Sequence, residues 1–253
     1  MIEDRSCIVA GNTQVAHGIY LLTLKNDEIA QKARSGQFLM LSVPGFFLRR
    51  PLCIADTNVA NGQFSVLYAL IGEGTKVLST VRTGDTLSAL APLGKGFSLV
   101  SNQKVLVIAG GLGVATIMQL CKDLVSENNT IDLILGFRNA EVAIPPEFFP
   151  SRCDVYVCTE DGSLGTRGFV TDVLPSMIGY TAVYMCGPIP MYKALAPYLS
   201  GSPNVFASFE ARMGCGYGVC AGCSIKVGEC MQRVCVDGPV FNFHEVNLDS
   251  VCI

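Results

Sequence analysis

The 253-residue chain has no tryptophan, only two histidines and few charges, since Asp, Glu, Lys and Arg make up 15% of it. The net charge is −3, without long runs of one sign, so a general nucleic-acid-binding protein is not expected. No apolar stretch reaches the ~18 residues that span a membrane. Half of the residues are hydrophobic, which excludes a disordered protein. At roughly 150 residues per domain, the length predicts two domains and a small appendage.

The twelve cysteines are the feature that remains to be explained. Met1–Gly11 lacks the basic and then apolar pattern of a secretory leader, so we expect a cytoplasmic protein with reduced thiols. The cysteines are then packing residues, catalytic groups or metal ligands. Seven are scattered, mostly in apolar runs, which is typical of buried packing residues: Cys7, Cys53, Cys121, Cys153, Cys158, Cys186 and Cys252.

The first hundred residues contain short alternating stretches that are separated by turn signals such as Asn61-Gly62. These stretches are Ile19–Leu24, Gln37–Val43, Phe64–Leu70 and Thr86–Leu90. Short strands with no long helical period predict an antiparallel β-barrel over residues 1–100, interrupted by one helix at about Gly74–Val81.

After residue 100, β-branched apolar runs alternate with helical or loop segments, among them a helix at Ala115–Val125. The runs are Val105–Ala109, Ile131–Gly136, Asp154–Thr159 and Ala182–Cys186. This alternation predicts a parallel α/β domain over residues 101–205. The regular pattern stops at about Val205, and the Gly- and Cys-rich residues 206–253 form a third, small module.

Five cysteines crowd into this third module: Cys215, Cys220, Cys223, Cys230 and Cys235. C-x4-C-x2-C followed by a fourth cysteine is the plant-type ferredoxin spacing for a [2Fe-2S] cluster. The interspersed glycines permit a tightly wrapped loop. Four cysteines also suit zinc, but three in one loop favour the iron–sulfur interpretation. We prefer Cys235 to Cys230 as the fourth ligand, because the longer excursion lets a hairpin return the chain to the cluster.

Three glycines mark the point where the first buried run turns into a helix: Gly110, Gly111 and Gly113. Such a turn offers N–H groups and a positive helix end to a phosphate, although an ordinary βα turn is the alternative. Cys186, Gly187 and Pro188 follow another run, as does the loop 159–163. All three loops are therefore expected at the carboxyl edge of the sheet, where α/β proteins bind ligands. Arg138, after the second run, is interpreted as a solvated charge.

Leu48–Ile54 reads LRRPLCI and places two arginines in a hydrophobic context, either on the surface or as a phosphate anchor. This motif and LYALIGEGT, PLGKGF, AGGLGV and CGP occur in the order found in the ferredoxin-reductase-like family. The chain resembles that family from about residue 5 to 245, which implies a flavin-binding barrel and a domain for a nicotinamide nucleotide. EARMGCGYGVCAGC and RVCVDGPVF resemble more closely its FAD-containing iron–sulfur members, the electron-transfer subunits of class B dihydroorotate dehydrogenases.

Carried over by position, the resemblance implies three sets of site residues. FAD is assigned to Arg50, Pro51, Leu52, Cys53, Leu67, Tyr68, Ala69, Gly74 and Thr75. NAD is assigned to the two loops, with Gly110, Gly111, Gly113, Cys186, Gly187 and Pro188. The cluster is assigned to Cys215, Cys220, Cys223 and Cys235. The chain departs from the family where Cys53 replaces a usual serine, and where Ala115 and Thr116 stand at positions that often hold prolines.

The resemblance implies an oxidoreductase subunit of pyrimidine biosynthesis, in which electrons pass from an FMN-containing partner through the cluster and FAD to NAD⁺. A heterotetramer with that partner is expected, and no side chain of this chain is expected to act as an acid or base. His17 and His244 are interpreted as ordinary residues, while Glu210 and Arg212 either contact a cofactor or form a salt bridge. Two alternatives are the small subunit of a ferredoxin:NADP or sulfide-type oxidoreductase, and a zinc-stabilised nucleotide-binding regulatory protein.

Overall fold

The computed structural model describes residues 3–174 and 179–251, and its N-terminal part is a closed antiparallel barrel. The barrel strands are β1 (Asp4–Ala16), β2 (Ile19–Lys25), β3 (Phe38–Leu41), β4 (Arg50–Asn58), β5 (Gln63–Ala69) and β6 (Thr86–Leu93). They are hydrogen-bonded in the order β1-β2-β5-β4-β3-β6. Two short helices, α1 (Asp27–Lys32) and α2 (Glu73–Leu78), interrupt the strands. The predicted barrel is confirmed.

The barrel interior follows from the alternation of its strands. In β6 the side chains of Leu87, Ala89 and Ala91 are buried in the barrel core while their neighbours are more exposed. The sequence pattern does not indicate β1 or β4, although both pair along most of their length. Register shifts interrupt the alternation of β1, and Pro51 gives β4 a residue that cannot donate to a ladder.

The second part is a seven-stranded sheet in the order β10-β9-β8-β7-β11-β12-β15. Its parallel strands are β7 (Lys104–Gly110), β8 (Thr130–Phe137), β9 (Cys153–Thr159), β10 (Thr166–Arg167), β11 (Ala182–Cys186) and β12 (Val205–Ser208). Helices α3 (Val114–Ser126) and α4 (Ile189–Leu199) cover opposite faces of it. In β7 successive side chains enter the two different cores, which explains the continuous apolar run.

The sheet continues past residue 205, where the sequence pattern indicates that regular structure ends. Strand β12 extends the parallel order, and β15 (Val240–Asn242) pairs with it antiparallel. Between them, residues 209–239 form the cysteine segment, which contains the hairpin of β13 (Ser224–Val227) and β14 (Cys230–Arg233). Strands of three or four residues are too short to produce a detectable period, so only the folded chain reveals them.

Short 3₁₀ turns complete the chain: Val59–Asn61, Gly111–Gly113, Ala140–Val142, Pro146–Phe148, Val170–Val173, Phe243–Glu245 and Leu248–Ser250. Of the cysteines interpreted as packing residues, Cys7, Cys121, Cys153 and Cys158 are buried, and Cys252 lies outside the described residues. Within the described ranges, no helix combines the length and the apolar character needed to cross a membrane.

The barrel and the sheet are joined by aromatic and backbone contacts. Tyr184 of β11 meets Phe97 edge to face at 5.7 Å between ring centroids, and its hydroxyl donates to the carbonyl oxygen of Ser98 at 2.9 Å. Gly94, directly after β6, has a φ of +74° and packs against Pro239 at the end of the cysteine segment. A Cβ atom on Gly94 would lie 2.6 Å from Cδ of Pro239 and 2.8 Å from the carbonyl oxygen of Gly238.

We therefore expect Gly94→Ala to lower the free energy of unfolding by about 2 kcal/mol more than Gly18→Ala. Gly18 has a similar φ of +67 but nothing within 4 Å of its Cβ position, so it isolates the backbone cost from the collision. Urea unfolding followed by far-ultraviolet circular dichroism measures the difference. Equal losses for the two variants would contradict the tight contact between the barrel and the cysteine segment.

Candidate functional site

A cavity of about 450 Å³ lies where the barrel, the start of α3 and the residues after β12 meet. All of the predicted flavin residues except Gly74 line it: Arg50, Pro51, Leu52, Cys53, Leu67, Tyr68, Ala69 and Thr75. Leu112, Ala115 and Ser208 contribute from the sheet domain, and residues 209–213 from the cysteine segment. The fold thus brings three distant stretches of sequence to one cavity.

The two adjacent arginines have different surroundings. Arg49 is held by the barrel, because its guanidinium donates to Asp4 Oδ2 at 2.7 Å and to the carbonyl oxygen of Ser88 at 3.1 Å. Both arginines line the cavity, but Arg50 has no carboxylate partner within the described residues: it lies 4.9 Å from the centroid of the Phe46 ring and donates from Nη1 to the carbonyl oxygen of Leu48. Its charge is therefore available to an anion, and the sequence motif alone did not distinguish it from Arg49.

Gly74 explains how Arg50 reaches this position. A Cβ atom on Gly74 would lie 2.5 Å from Nη2 of Arg50 and 2.7 Å from its Nε. The guanidinium therefore packs directly on the backbone of α2, beside Thr75, which lines the cavity. A guanidinium at the cavity that has no carboxylate partner fits the phosphates of a dinucleotide such as FAD.

Two thiols lie close together here: the half-buried Cys53 lines the cavity, and the buried Cys186 lies near it without lining the cavity. Burial raises the pKa of Cys53 to about 12, and the carboxylate of Glu210 adds to this rise. Burial also raises the pKa of the Cys186 thiol well above its usual value. Both thiols therefore keep their protons at neutral pH, and neither is an activated nucleophile. Burial likewise raises the pKa of the Glu210 carboxyl, which lines the same cavity.

The glycine turn after β7 and the loop after β11 touch each other at the carboxyl edge of the sheet. A Cβ atom on Gly113 would lie 2.3 Å from the carbonyl oxygen of Cys186. Gly110 and Gly187 both pack against Met191 of α4, just beyond Pro188. Only Gly111, with φ +55, has nothing within 4 Å of its Cβ position. Three of these glycines thus allow close packing, while Gly111 is open to a ligand.

The four predicted cluster ligands form two pairs of thiols. The backbone N–H of Cys220 donates to Sγ of Cys215 at 3.5 Å, while Cys223 and Cys235 contact each other in the interior. In the described part of the chain, no three His, Cys, Asp or Glu side chains converge as the ligands of one metal ion would. Zinc requires four ligands around a single ion, whereas a [2Fe-2S] cluster is held by two thiolates on each iron. The donor set therefore fits the cluster better.

The loop from Cys215 to Cys223 points its backbone N–H groups at sulfur. Burial raises the pKa of Cys215, but N–H groups of Cys220, Tyr217 and Val219 act in the opposite direction, and the resulting pKa is about 6. Such N–H groups stabilise thiolates and cluster sulfurs alike. Gly216 has φ +78 and packs on Met40 of β3, so the loop lies directly against the barrel.

The register of the hairpin separates the two candidates for the fourth ligand. Cys230 pairs with Val227 at the hairpin tip, whereas Arg233 pairs with Ser224 at its base, next to Cys223. At about 3.3 Å per residue, Cys230 lies some 10 Å along the strand from that base. The N–H of Val234 donates to the carbonyl oxygen of Cys223 at 3.1 Å, which brings Cys235 to the cluster loop. The geometry favours Cys235.

Several cavity residues were not assigned to the site from the sequence. Leu48, Ile71 and Pro239 lie in the quoted motifs without having been assigned a role, and Phe38 and Phe209 look like ordinary apolar residues. Glu210 and Arg212, which the sequence left open, also line it and form no ion pair within the described residues. Their position before Cys215 was the only local indication of a role near the cofactors.

Comparisons with known proteins agree with this geometry. A family model described as the iron–sulfur cluster binding domain of dihydroorotate dehydrogenase B matches residues 210–247. A Bacillus velezensis protein named dihydroorotate dehydrogenase B (NAD(+)), electron transfer subunit, is 38% identical over 95% of this chain and 97% of that protein. A Bacillus cereus protein with the same name is 36% identical over 98% of this chain and all of that protein.

Solved structures show the same architecture. One chain, from a study of flavin-based electron bifurcation by an NADH-dependent reduced ferredoxin–NADP oxidoreductase, superimposes with a TM-score of 0.89 and 28% identity. That match covers 97% of this chain and 91% of the other. The ferredoxin reductase of carbazole 1,9a-dioxygenase has a TM-score of 0.70 at 19% identity, covers 80% of this chain and 67% of its own, and supports the fold alone.

The hairpin register predicts opposite outcomes for two nearby cysteines. We expect Cys235→Ser to lose the cluster, because a buried position beside Cys223 would then lack its thiolate, while Cys230→Ser keeps it. Iron and acid-labile sulfide, measured against protein after anaerobic purification, report the content of each variant. Retention by the first variant and loss by the second would reverse the assignment.

The contrast between the two arginines predicts that Arg50→Gln lowers FAD affinity by about 10- to 100-fold, the effect of one charge-assisted hydrogen bond. Fluorescence titration of the apoprotein with FAD measures this affinity. Arg82→Gln is the matched control, because it removes the same charge from an exposed barrel turn outside the cavity lining. An equal loss in both variants would indicate a general charge effect instead of an anchor.

Proposed function

The chain belongs to the family of electron transfer subunits of dihydroorotate dehydrogenase B, and on this basis we propose that it connects a dihydroorotate-oxidising partner to NAD⁺. When bound, FAD supplies hydride exchange with the nicotinamide nucleotide, and the [2Fe-2S] cluster supplies one-electron transfer. The observation that carries the proposal is the path of residues 208–213. They line the flavin cavity and lead directly to Cys215, so one segment serves both cofactors.

The chain's own residues bind and orient the groups. Arg50 provides a guanidinium without a carboxylate partner for the flavin phosphates, and Pro51, Leu52 and Leu67 form apolar walls that exclude water. Gly111, at the open turn before α3, is where the nucleotide phosphates would approach the backbone. Because burial keeps the Cys53 thiol protonated, we assign Cys53 to positioning the flavin and not to acid–base chemistry.

Exposed apolar side chains next to the cluster support a partner subunit at this end of the molecule. Val219 on the loop is 76% exposed, Met231 on the hairpin is 64% exposed and Tyr217 is 44% exposed. Val236 joins them, because Gly218 lies directly against its side chain. Apolar side chains grouped in this way are typical of interaction sites. We assign this surface to the FMN-containing catalytic subunit, in a heterotetramer with two copies of each chain.

A cytoplasmic enzyme of pyrimidine biosynthesis suits the thiolate ligands that the cluster needs. All eleven described cysteines are free, and the four assigned ligands must remain thiolates to hold iron. The assignment of NAD as the nucleotide rests on the named relatives, and the exposed Arg138 after β8 is not used to argue for a 2′-phosphate.

The decisive experiment co-expresses the chain with a catalytic subunit of dihydroorotate dehydrogenase B. We expect a yellow-brown complex with FMN, FAD and iron, in which dihydroorotate reduces NAD⁺ and NADH bleaches the visible absorbance. Val219→Lys should weaken co-purification and coupled turnover while the isolated chain keeps its FAD, because a charge in an apolar interface is costly. Val59→Lys, the same change at a 61% exposed valine in the 3₁₀ turn after β4, is the control.

One result would favour the alternative suggested by the ferredoxin–NADP oxidoreductase relative. If the complex fails to oxidise dihydroorotate but reduced ferredoxin drives nucleotide reduction, the chain belongs to a different electron-transfer system. A colourless protein that contains zinc would instead support the regulatory protein and contradict the proposed function.

A further inference from the structure

The two places where the sequence departs from its family meet in the structure. Oγ1 of Thr116, in the first turn of α3, donates a hydrogen bond to Sγ of Cys53 in β4 at 3.0 Å. Thr116 is 1% exposed, and Cys53 lines the flavin cavity. The contact therefore crosses from the nucleotide-binding domain to the flavin barrel at the wall of the cavity.

This contact is one end of an ordered seam between α3 and β4. Gln119 accepts hydrogen bonds from the backbone N–H of Thr57 at 2.9 Å and from its hydroxyl at 3.2 Å. Lys122 forms an ion pair with Asp56 at 2.6 Å. Residues 116, 119 and 122 are three apart and share one face of the helix. The seam fixes the start of α3 against the barrel, so the Thr116 hydroxyl is held in place.

The direction of this hydrogen bond decides what the thiol can do. Sγ of Cys53 accepts from Thr116, and the thiol keeps its proton because burial, and then the Glu210 carboxylate, raise its pKa to about 12. The S–H of Cys53 is therefore a donor that Thr116 does not use. The side of Cys53 that does not contact α3 faces the cavity.

We propose that Thr116 is a positioning residue that holds Cys53 so that the thiol donates its S–H to the flavin ring. The inference rests on the proposed FAD site. A donor at the ring favours the electron-rich reduced flavin, so the pair raises the flavin reduction potential. A hydroxyl on the helix thus orients a thiol on the barrel, and the two departures from the family act as one device.

The test is a redox equilibrium on the holoprotein. With Thr116→Val, which keeps the shape and removes the hydroxyl, we expect the ratio of oxidised to reduced FAD at a fixed NADH/NAD⁺ ratio to rise about fivefold, the effect of one ordinary hydrogen bond. Thr116→Ser should restore the wild-type ratio. Thr130→Val removes a threonine hydroxyl at the exposed start of β8, outside the seam and the cavity lining, and should leave the ratio unchanged.

A double-mutant cycle shows whether Thr116 acts through Cys53. Cys53→Ala should shift the same ratio in the same direction, and adding Thr116→Val to it should have no further effect. A second readout needs no flavin: the infrared S–H band of Cys53, identified by its loss in Cys53→Ala, should shift in apo Thr116→Val. An unchanged band, an unchanged ratio or additive effects in the cycle would each overturn the proposal.

These outcomes are separate from failure of the proposed function. If wild-type protein binds no FAD, the flavin site itself is wrong. If wild-type protein and Thr116→Val both bind FAD with full occupancy, the flavin site stands. The shift in flavin reduction potential then tests the role of Thr116 alone.

Discussion

The antiparallel pairing of β12 with β15 is the constraint on which the arrangement of the candidate sites depends. Ser208 lies opposite Val240, and the N–H of Phe209 donates to the carbonyl oxygen of Pro239 at 2.9 Å. The segment between them therefore leaves and returns at one edge of the sheet. Its second end also contacts the barrel, where the N–H of Lys95 donates to the carbonyl oxygen of Gly238 at 2.6 Å. The cysteines are thus held beside the flavin cavity by pairing that also completes the sheet.

Cysteine has different physical roles in this chain because its surroundings differ. Where backbone N–H groups converge on sulfur, as at Cys215, the thiolate is favoured and metal can bind. Where apolar side chains surround it, as at Cys158, the thiol is a small hydrophobic group with a raised pKa. Cys53 is intermediate, since it is protonated and buried from one side but reaches a cavity. The surroundings decide whether a thiol binds metal, packs or donates.

The elements of the fold that could be predicted are those whose sequence has a local pattern of hydrophobic residues. Buried β-branched runs predicted the central parallel strands, because a strand covered on both faces needs apolar residues throughout. Strand β1 was not predicted because bulges interrupt its alternation, and β4 because Pro51 argues against a strand. Strands β12 and β15 are too short for any period, and they form only because the rest of the sheet offers them partners.

The candidate site divides in the same way. The cysteine spacing and the glycine turn are local, and the sequence by itself determined them, because metal ligation from one loop and a strand-to-helix turn need particular residues at close intervals. Only the tertiary structure decided that Arg49 pairs with Asp4 while Arg50 has no carboxylate partner, that Cys230 is at a hairpin tip, and that Thr116 reaches Cys53. These facts depend on contacts between residues far apart in the chain. No local pattern encodes such contacts, because they arise only when separate elements pack.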